Sequence, residues 1–365
     1  MLALLRTPFF LTAVVGRVGI AMTSLGLVLL VHARTGSYVT AGLVTGGLAV
    51  AEAVAGPQLA RLVDRFGQPR VLPPMLLAHA VAVALIIGSN GWLLVIGGFL
   101  AGATIPQLGA LSAARWAALL PAETLPRAFA LEALANELAY LAGPALVSSI
   151  GYPVVGTTLA AALVVTGGLG LARQRHTAPP VAKAAGRSPL RPRFVALAGV
   201  NLGLGGFFGA MPIAVTAFAV EHHSAAATLF TASSGASLLA GWLYGLRRWR
   251  TAPRTQLALV TAGLAVGCLP SLLATSPLEL GFAVTLTGLA VPVIIVLSSV
   301  LAEAAVDRAV LTQAFAWLAS ASAAGSALAA SAAGWAVDAF GPSGGFTVAA
   351  IFAALMAVIA GLRLA

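Results

Sequence analysis

The stretch ARLVDRFGQPR, residues 60–70, places four charged side chains and a Gly-Gln-Pro break between two long apolar runs. The chain as a whole is 60% hydrophobic and only 8% charged. A soluble protein carries about a quarter charged residues, so this chain has too few of them to cover a surface that faces water. The sequence therefore predicts a membrane protein in which short charged stretches separate apolar segments.

Apolar runs of roughly 20 residues recur along the whole chain, and each is long enough to cross a hydrocarbon core about 30 Å thick. Only helices and closed barrels satisfy all backbone polar groups in lipid, and these runs are too long and too uniformly apolar for barrel strands. The sequence predicts an all-α polytopic membrane protein. Charged residues, prolines and glycines divide it into twelve predicted transmembrane helices: 9–32, 38–60, 71–89, 92–113, 127–149, 153–172, 194–219, 225–246, 255–274, 278–302, 309–335 and 344–363.

The cations are distributed unevenly over the two sides predicted for these helices. Arg34 alone lies in a loop on one side, and Arg17 lies inside a span. The others fall on the opposite side: Arg6, Arg61, Arg65, Arg70, Arg115, Arg127, the cluster from Arg173 to Arg193, Arg247, Arg248, Arg250, Arg254, Arg308 and Arg363. This split is typical of the positive-inside rule and predicts a multi-pass protein of the cytoplasmic (inner) membrane, with both termini in the cytoplasm. Because the cations lie between spans and not on a folded soluble face, the net charge of +10 does not indicate a nucleic-acid partner.

A hydrophilic stretch divides the chain near its middle. Residues 173–193, RQRHTAPPVAKAAGRSPLRPR, have the Pro, Lys, Arg and Ser content that is typical of a flexible cytoplasmic linker. The flanking segments 1–172 and 194–365 each hold six predicted helices. Short sequences repeat between them at one spacing, such as IPQLGALS at 105–112 and VPVIIVLS at 291–298. The sequence therefore predicts two pseudo-symmetric six-helix bundles.

Residues 60–70 resemble the loop signature of the Major Facilitator Superfamily, Gly-x-x-x-Asp-Arg-x-Gly-Arg-Arg. They depart from it at Ala60 and at Gln68-Pro69, and they carry four of its residues: Asp64, Arg65, Gly67 and, slightly late, Arg70. The resemblance implies the twelve-helix fold of this family. It also implies that the loop latches the two halves in the outward-facing state, with the aspartate pairing with cations and a helix N-terminus of the opposite half. A charge cluster that only sets the membrane topology is the alternative interpretation.

Three further motifs bear on transport and packing. The duplicate loop GLRRWRTAPR, residues 245–254, keeps the bases and lacks an acid, so Asp64 would be the anionic partner in a one-sided latch. Gly143-Pro144 is similar to the Gly-Pro signature of antiporters in this superfamily, which implies export. No Walker A pattern occurs, which argues against an ATP-driven pump. The Gly-rich NLGLGGFFG, residues 201–209, follows no strand and predicts close approach of helices.

Charged residues inside the predicted spans need a physical reason, because each costs at least about 2.5–3.5 kcal/mol in the bilayer interior. We expect Arg17 to face a central cavity and bind an anionic group or a carboxylate, or else to form a structural ion pair between helices. Glu52 and Glu137 are the candidates for a proton-exchanging group, because burial favours the neutral form of a carboxyl group. The alternative is that they pair with Arg17 or with a backbone group. Four more residues complete the predicted substrate and proton-coupling set: Gln107, Asn136, Tyr140 and Asn201.

A second group of residues is expected to act in gating. Arg115 at the end of the fourth predicted helix and Glu132 near the cytoplasmic end of the fifth lie within reach of each other, and such a pair would be structural or gating. Together with the two motifs this gives the gating set: Asp64, Arg65, Gly67, Arg70, Arg115, Glu132, Gly143 and Pro144.

The residues and the resemblance together predict a secondary transporter that works by alternating access, with a substrate site near the bilayer midplane between two rocking halves. The resemblance implies an antiporter for proton-coupled export of small amphipathic or drug-like compounds. The proton gradient would drive it without a cofactor or a metal. We expect a monomer that binds a small-molecule substrate and the lipid bilayer and that is not an enzyme. Two alternatives stay open: a carrier for a specific anionic metabolite anchored by Arg17, and a non-transporting membrane sensor or scaffold with the same fold.

Overall fold

The computed structural model describes residues 2–181, 191–224, 226–247 and 249–364. Within these ranges every regular element is helical and no residue lies in a β-strand. The predicted all-α fold is therefore confirmed. Residues 182–190 of the predicted linker, and Arg248 of the loop at 245–254, lie outside the described residues.

Twelve long helical rods account for most of the described residues, and each overlaps one predicted span. They are α1 (Pro8–Thr35), α2 (Tyr38–Phe66), α3 (Gln68–Gly88), α4 (Trp92–Thr104 and Leu108–Leu119), α5 (Leu125–Ser149), α6 (Pro153–Arg173), α7 (Pro192–Glu221), α8 (Ala226–Leu246), α9 (Pro253–Gly267 and Leu269–Leu273), α10 (Pro277–Ala305), α11 (Leu311–Phe340) and α12 (Pro342–Ile359). The two pieces of α4 are named α4a and α4b, and those of α9 are named α9a and α9b. Shorter helical turns are Leu2–Leu5, Ala122–Thr124, Arg175–Thr177, Arg308–Val310 and Ala360–Leu364.

Ten of these rods are long and apolar enough to cross a membrane. The other two are α5 and α8, whose sequences are more polar. In α8 the polarity comes from serine and threonine residues, and in α5 it comes mainly from Glu132, Asn136 and Glu137. The residues that lower the hydropathy of α5 are thus the ones that the sequence marks as functional candidates.

Residues 60–70 are more helical than the sequence predicts. α2 continues to Phe66 and does not end at residue 60, α3 begins at Gln68, and Gly67 alone joins them. Charged side chains end the apolar segment without ending the helix, because cations are favourable near a helix C-terminus. Gly67 has a φ of +88°, which a residue with a Cβ atom rarely adopts, so a joint this short requires glycine.

The described residues group into two compact units. The first is built from Met1–Ala122, Ala135–Arg187 and Asp307–Ala316, and the second from Glu123–Leu134, Ser188–Val306 and Trp317–Ala365. The first unit holds α1–α4, α6 and most of α5. The second holds α7–α10, α12 and most of α11. The first turns of α5 belong to the second unit, and the first turns of α11 belong to the first unit.

In the first unit, glycines bring the backbones of α1 and α6 together. A Cβ atom added at Gly19 would lie 2.8 Å from the amide nitrogen of Val164, and one added at Gly167 would overlap the backbone of Gly16. Because lipid tails are as apolar as leucine, helices in membranes gain stability from such close packing and not from hydrophobic burial. The α1–α6 contact therefore depends on small residues in both helices.

In the second unit, the glycines of residues 201–209 have the packing role that the sequence predicts. A Cβ atom at Gly205 would overlap the backbone carbonyl of Ser322 in α11. The contact is reciprocal, because a Cβ atom at Gly325 of α11 would overlap the carbonyl of Leu202. The two helices therefore touch through their backbones over several turns.

We predict that Gly205→Ala lowers the stability of the purified protein, because the added methyl group would meet a backbone carbonyl that cannot move aside. Overpacking of this kind costs about 1–3 kcal/mol. Thermal unfolding in detergent measures the loss. Gly263→Ala in α9a is the matched control, because Gly263 is exposed and has open space around it, and it should not lower the melting temperature. Equal melting temperatures for the two variants would contradict the packing role of Gly205.

Candidate functional site

The helix predicted over residues 92–113 is interrupted in the structure. α4a ends at Thr104 and α4b begins at Leu108, so residues 105–107 lie outside the helix. Pro106 explains the break, since it has no amide hydrogen and disfavours the helical conformation of the residue before it. The Leu108 amide donates to the Pro106 carbonyl at 2.9 Å, and the regular helical pattern resumes where the Leu111 amide donates to the Gln107 carbonyl at 3.0 Å. The prediction of one continuous helix here was wrong.

Gln107, at this break, contacts Glu52 of α2. Its Nε2 atom donates a hydrogen bond of 2.9 Å to Oε1 of the half-buried Glu52. Gly56, one turn after Glu52 on the same face of α2, makes room for the amide, because a Cβ atom there would lie 3.4 Å from Gln107 Nε2. Two polar residues that the sequence places 55 positions apart are thus joined in one contact.

Arg17 of α1 lies beside the first turn of α4b. Its side chain is only 5% exposed. A Cβ atom at Gly109 would lie 3.8 Å from Arg17 Nε and 3.9 Å from Cζ, so the guanidinium packs against a glycine at the start of that helix. The N-terminal end of a helix carries a partial positive charge. The positive guanidinium of Arg17 and the partial positive charge at the start of α4b therefore lie side by side.

Tyr140 of α5 completes a group of polar side chains from α1, α2, α5 and the break within α4. The charges of Arg17 and Glu52 both act electrostatically on its hydroxyl group. We name these residues the polar cluster: Arg17, Glu52, Gln107 and Tyr140. Tyr140 is 60% exposed, so the cluster has an accessible side as well as a buried one.

The remaining predicted substrate residues are placed differently. Asn136, which is exposed, lies one turn before Tyr140 on α5, and Glu137 on the same helix is half-buried. Asn201 belongs to the second unit, where its amide nitrogen donates to the Leu197 carbonyl of its own helix at 2.9 Å and its side chain is only 9% exposed. The Asn201 side chain is thus hydrogen-bonded within its own helix, α7.

Asp64 lies at the other functional location that the sequence predicts. Its Oδ2 atom accepts a hydrogen bond of 2.9 Å from the Gln313 amide. The amide and the hydroxyl of Thr312 also donate to this carboxylate. The carboxylate therefore caps the positive N-terminal end of α11, as an aspartate at a helix N-cap does, although it comes from residue 64. All three residues belong to the first unit.

The other residues of the signature follow Asp64 directly along the chain. Arg65 and Arg70 are exposed, and the Arg65 guanidinium lies 5.1 Å from the centre of the Phe66 ring. A cavity of about 240 Å³ adjoins Asp64. The residues that line it are Val63, Asp64, Gly67, Gln68, Ala114, Ala117, Ala118, Pro179, Pro180, Val181, Arg308, Ala309, Leu311 and Thr312.

Arg115 is fully buried at the end of α4b, and its guanidinium has four hydrogen-bond partners. Nε donates to Gln68 Oε1 at 2.7 Å, Nη2 donates to the Leu171 carbonyl at 2.8 Å, and Nη1 donates to the Gln174 carbonyl at 2.9 Å and to the Thr177 hydroxyl. Carbonyl groups at the C-terminal end of α6 stabilise the charge. The beginning of the predicted flexible linker is therefore held in place by Arg115.

Gln68 is a buried polar residue of this location that the sequence indicates only as a departure from the signature. It is 2% exposed, accepts from Arg115, and donates from Nε2 to the Leu111 carbonyl at 3.0 Å. The buried Glu132 belongs to the second unit, and its predicted pairing with Arg115 stays a prediction.

The Gly143-Pro144 pair lies inside α5, which continues to Ser149. A Cβ atom at Gly143 would lie 2.7 Å from Ala21 Cβ and 3.0 Å from the Met22 amide nitrogen. Gly143 therefore lets α5 approach α1 a little beyond the turn that carries Arg17. The glycine of this motif thus has a packing function in the first unit.

Residues 9–275 match the family model of the Major Facilitator Superfamily. The chain belongs to this superfamily. The resemblance inferred from residues 60–70 is confirmed, and so is the fold that it implies.

Solved transporter structures share this superfamily fold. The human organic anion transporter MFSD10 (TETRAN) matches with a TM-score of 0.73 and 17% identity over 97% of this chain and 98% of that one. A bacterial homologue of the iron transporter ferroportin, in an outward-facing state, matches with a TM-score of 0.77 and 12% identity, over 97% of this chain and 98% of that one. The E. coli fucose:proton symporter FucP matches with a TM-score of 0.74 and 16% identity, over 99% of this chain and 98% of that one. At these identities the likeness establishes the fold alone. No curated protein sequence matches this chain.

We predict that Asp64→Ala lowers the stability of the purified protein by about 1 kcal/mol, the usual cost of removing a helix N-cap. Asp64→Asn should lower it less, because the amide oxygen can still accept from the start of α11. Thermal unfolding in detergent measures both effects. Asp338→Ala is the control, since Asp338 is exposed near the other end of α11 and should leave the melting temperature unchanged. An Asp64→Ala protein as stable as the control would refute the capping role.

Proposed function

We propose that this superfamily member is a secondary transporter that couples the export of small amphipathic compounds to the proton gradient. In this proposal Glu52 exchanges the proton and the rest of the polar cluster contacts the substrate. The observation that carries it is the hydrogen bond of 2.9 Å between Glu52 and the neutral amide of Gln107.

A neutral amide suits a carboxyl group that changes its protonation state. The NH₂ group of glutamine donates to a carboxylate, and after a rotation of the amide its oxygen accepts from a carboxylic acid. Glu52 can therefore keep a partner in both states. A guanidinium has donors only, so an arginine in the position of Gln107 would hold Glu52 in its charged form.

The accessible side of the polar cluster supports a substrate with an apolar body and few polar atoms. Tyr140 offers an aromatic face and one hydroxyl group, and the exposed Asn136 lies one turn away. A sugar would need more hydrogen-bonding side chains than these. The predicted direction, export, is supported by the similarity of Gly143-Pro144 to the antiporter signature.

The capping contact of Asp64 supports a latch that stabilises one state of the transport cycle. The distribution of arginines supports a location in the cytoplasmic membrane with both termini in the cytoplasm. We also propose that the chain works as a monomer, with bundles at residues 1–172 and 194–365 that rock about the site.

We predict that Glu52→Gln abolishes proton-coupled transport, because glutamine cannot bind and release a proton. Accumulation of a fluorescent amphipathic dye in everted vesicles should rise with an imposed pH gradient for the wild-type protein. For the variant it should stay at the level seen without the gradient. Glu137→Gln is the matched control and should keep the gradient dependence. If Glu137→Gln loses it and Glu52→Gln keeps it, Glu137 is the coupling group; if both variants keep it, neither is.

The position of Arg17 favours a second candidate function, the carriage of a specific anionic metabolite. A buried guanidinium beside the positive end of α4b makes a site where an anionic group is stabilised from two directions. Arginine also binds carboxylates and phosphates through two parallel hydrogen bonds. A non-transporting sensor with this fold is the remaining alternative, and saturable flux in liposomes would exclude it.

On this second candidate, Arg17→Ala should weaken binding of one organic acid by about tenfold to a hundredfold, the effect of losing hydrogen bonds to a charged group. Thermal-shift titration of the purified protein against carboxylate and phosphate compounds measures the affinity. Arg61→Ala removes the same charge from an exposed position of α2 and should leave the affinity unchanged. Equal losses in both variants would show a nonspecific electrostatic effect.

A further inference from the structure

A network of hydrogen bonds and ring stacking joins described residues of the turn between α8 and α9, and none of the contacts named here uses an arginine side chain. The Tyr244 hydroxyl donates to Gln256 Oε1 at 2.8 Å, and Gln256 Nε2 donates to the Thr251 carbonyl at 2.7 Å. Trp249 Nε1 donates to the Tyr244 carbonyl at 3.2 Å, and the two rings stack with 5.2 Å between their centres. Tyr244 and Gln256 are buried, so this network holds the backbone of the turn.

Three arginines of this turn, Arg247, Arg250 and Arg254, are exposed. The Arg247 guanidinium lies 4.8 Å from the centre of the Trp249 ring. Within the described part of the chain, Arg250 and Arg254 have exposed side chains and form neither a hydrogen bond nor an ion pair. Residues 245–254 contain no acid. We call Arg247, Trp249, Arg250 and Arg254 the basic turn.

The start of α9a adds to this positive charge. Pro253 and Arg254 are its first two residues, and the N-cap residue Ala252 offers no side-chain hydrogen bond. Acidic side chains are the favourable ones in the first turn of a helix, because the free amide groups there carry a partial positive charge. Because Arg254 stands here in place of an acid, the partial positive charge at the start of α9a is not neutralised by this side chain and attracts anions.

The residues at the end of α8 indicate that the basic turn lies at the level of the lipid headgroups. Trp242, Leu243 and Leu246 are 49%, 50% and 45% exposed, and such side chains on a membrane-spanning bundle contact hydrocarbon. The arginines follow directly after this apolar end. Trp249 is 43% exposed beside them, and tryptophan is enriched at the boundary between hydrocarbon and water.

We propose that the basic turn binds the phosphate headgroups of anionic phospholipids. Arginine forks bind phosphate oxygens through paired hydrogen bonds, and clusters of arginine at a membrane surface attract anionic lipid. Trp249 fixes Arg247 over its ring and anchors the turn at the interface. In the first unit the equivalent turn, between α2 and α3, caps α11 with the Asp64 carboxylate. In this turn the arginines bind lipid phosphates instead.

The test uses the full-length protein purified in a neutral detergent. Phosphatidylglycerol is titrated in mixed micelles, with phosphatidylcholine as the neutral lipid, and the shift in melting temperature gives an apparent affinity. We expect phosphatidylglycerol to raise the melting temperature and phosphatidylcholine not to. The double variant Arg250→Ala/Arg254→Ala should bind phosphatidylglycerol about tenfold to a hundredfold more weakly, because the hydrogen bonds from these arginines to the phosphate group are lost.

Two controls separate specific binding from other effects. Arg6→Ala/Arg61→Ala removes the same charge from exposed positions of the first unit and should keep the wild-type affinity. The basic-turn variant should also keep its melting temperature without lipid, because the network that holds the turn uses none of the removed side chains. Equal loss of affinity in both double variants would overturn the proposal. So would a stabilisation by inorganic phosphate or glycerol phosphate as large as that by the lipid, because the site would then recognise a free anion.

Discussion

A polar group inside the hydrocarbon of a bilayer must find its partner within the protein, because no water is present to supply one. This constraint explains why every regular element of the described residues is a helix. It also explains why many hydroxyl groups within the spans bond to backbone carbonyls of their own helices, as Thr23 does to Gly19 at 2.8 Å and Thr261 to Leu257 at 2.8 Å. Arg115 is the extreme case: a fully buried cation that is tolerated because the side chain and backbone of its unit supply four acceptors.

Three charged groups of the first unit have neutral or dipolar partners. Glu52 bonds to an amide, Asp64 to the start of a helix, and Arg115 to carbonyls, a hydroxyl and an amide oxygen. Removing one member of a buried ion pair leaves the other charge uncompensated, which costs several kcal/mol. A neutral partner avoids that cost. A carboxyl group in such a setting can gain or lose a proton without leaving an opposite charge unpaired, which is what a coupling group requires.

Hydropathy predicts the twelve rods because the bilayer acts on each segment separately. It predicts boundaries less well: the first charge after residue 60 ends the apolar run, yet α2 continues to Phe66 because a helix C-terminus tolerates cations. The break in α4 could have been predicted from Pro106. The pairing of Asp64 with Thr312 and Gln313 could not be read from spacing, since it joins residues about 249 positions apart. The role of Gln68 in packing was missed because a neutral residue at a basic position of the signature suggests only that a positive charge has been lost. Its contact with Arg115 joins residues that are distant in sequence, so only the structure shows it.

α4b connects the two candidate functional locations of the first unit. Its first turn follows Gln107 and contains Gly109, against which Arg17 packs, and its second half carries Arg115. A helix of 12 residues is about 18 Å long and holds its backbone rigidly. Gln68 is bonded to α4b twice, through the Leu111 carbonyl and through Arg115, and it directly follows the glycine that joins α2 to α3. Because Glu52 and Asp64 both lie on α2, that helix and α4b form two parallel connections between the polar cluster and the cap of α11. If α4b shifts as a rigid body and displaces Gln107 from Glu52, it therefore also strains the hydrogen bonds of Gln68. That strain reaches Gly67, the joint between α2 and α3 that lies beside Asp64.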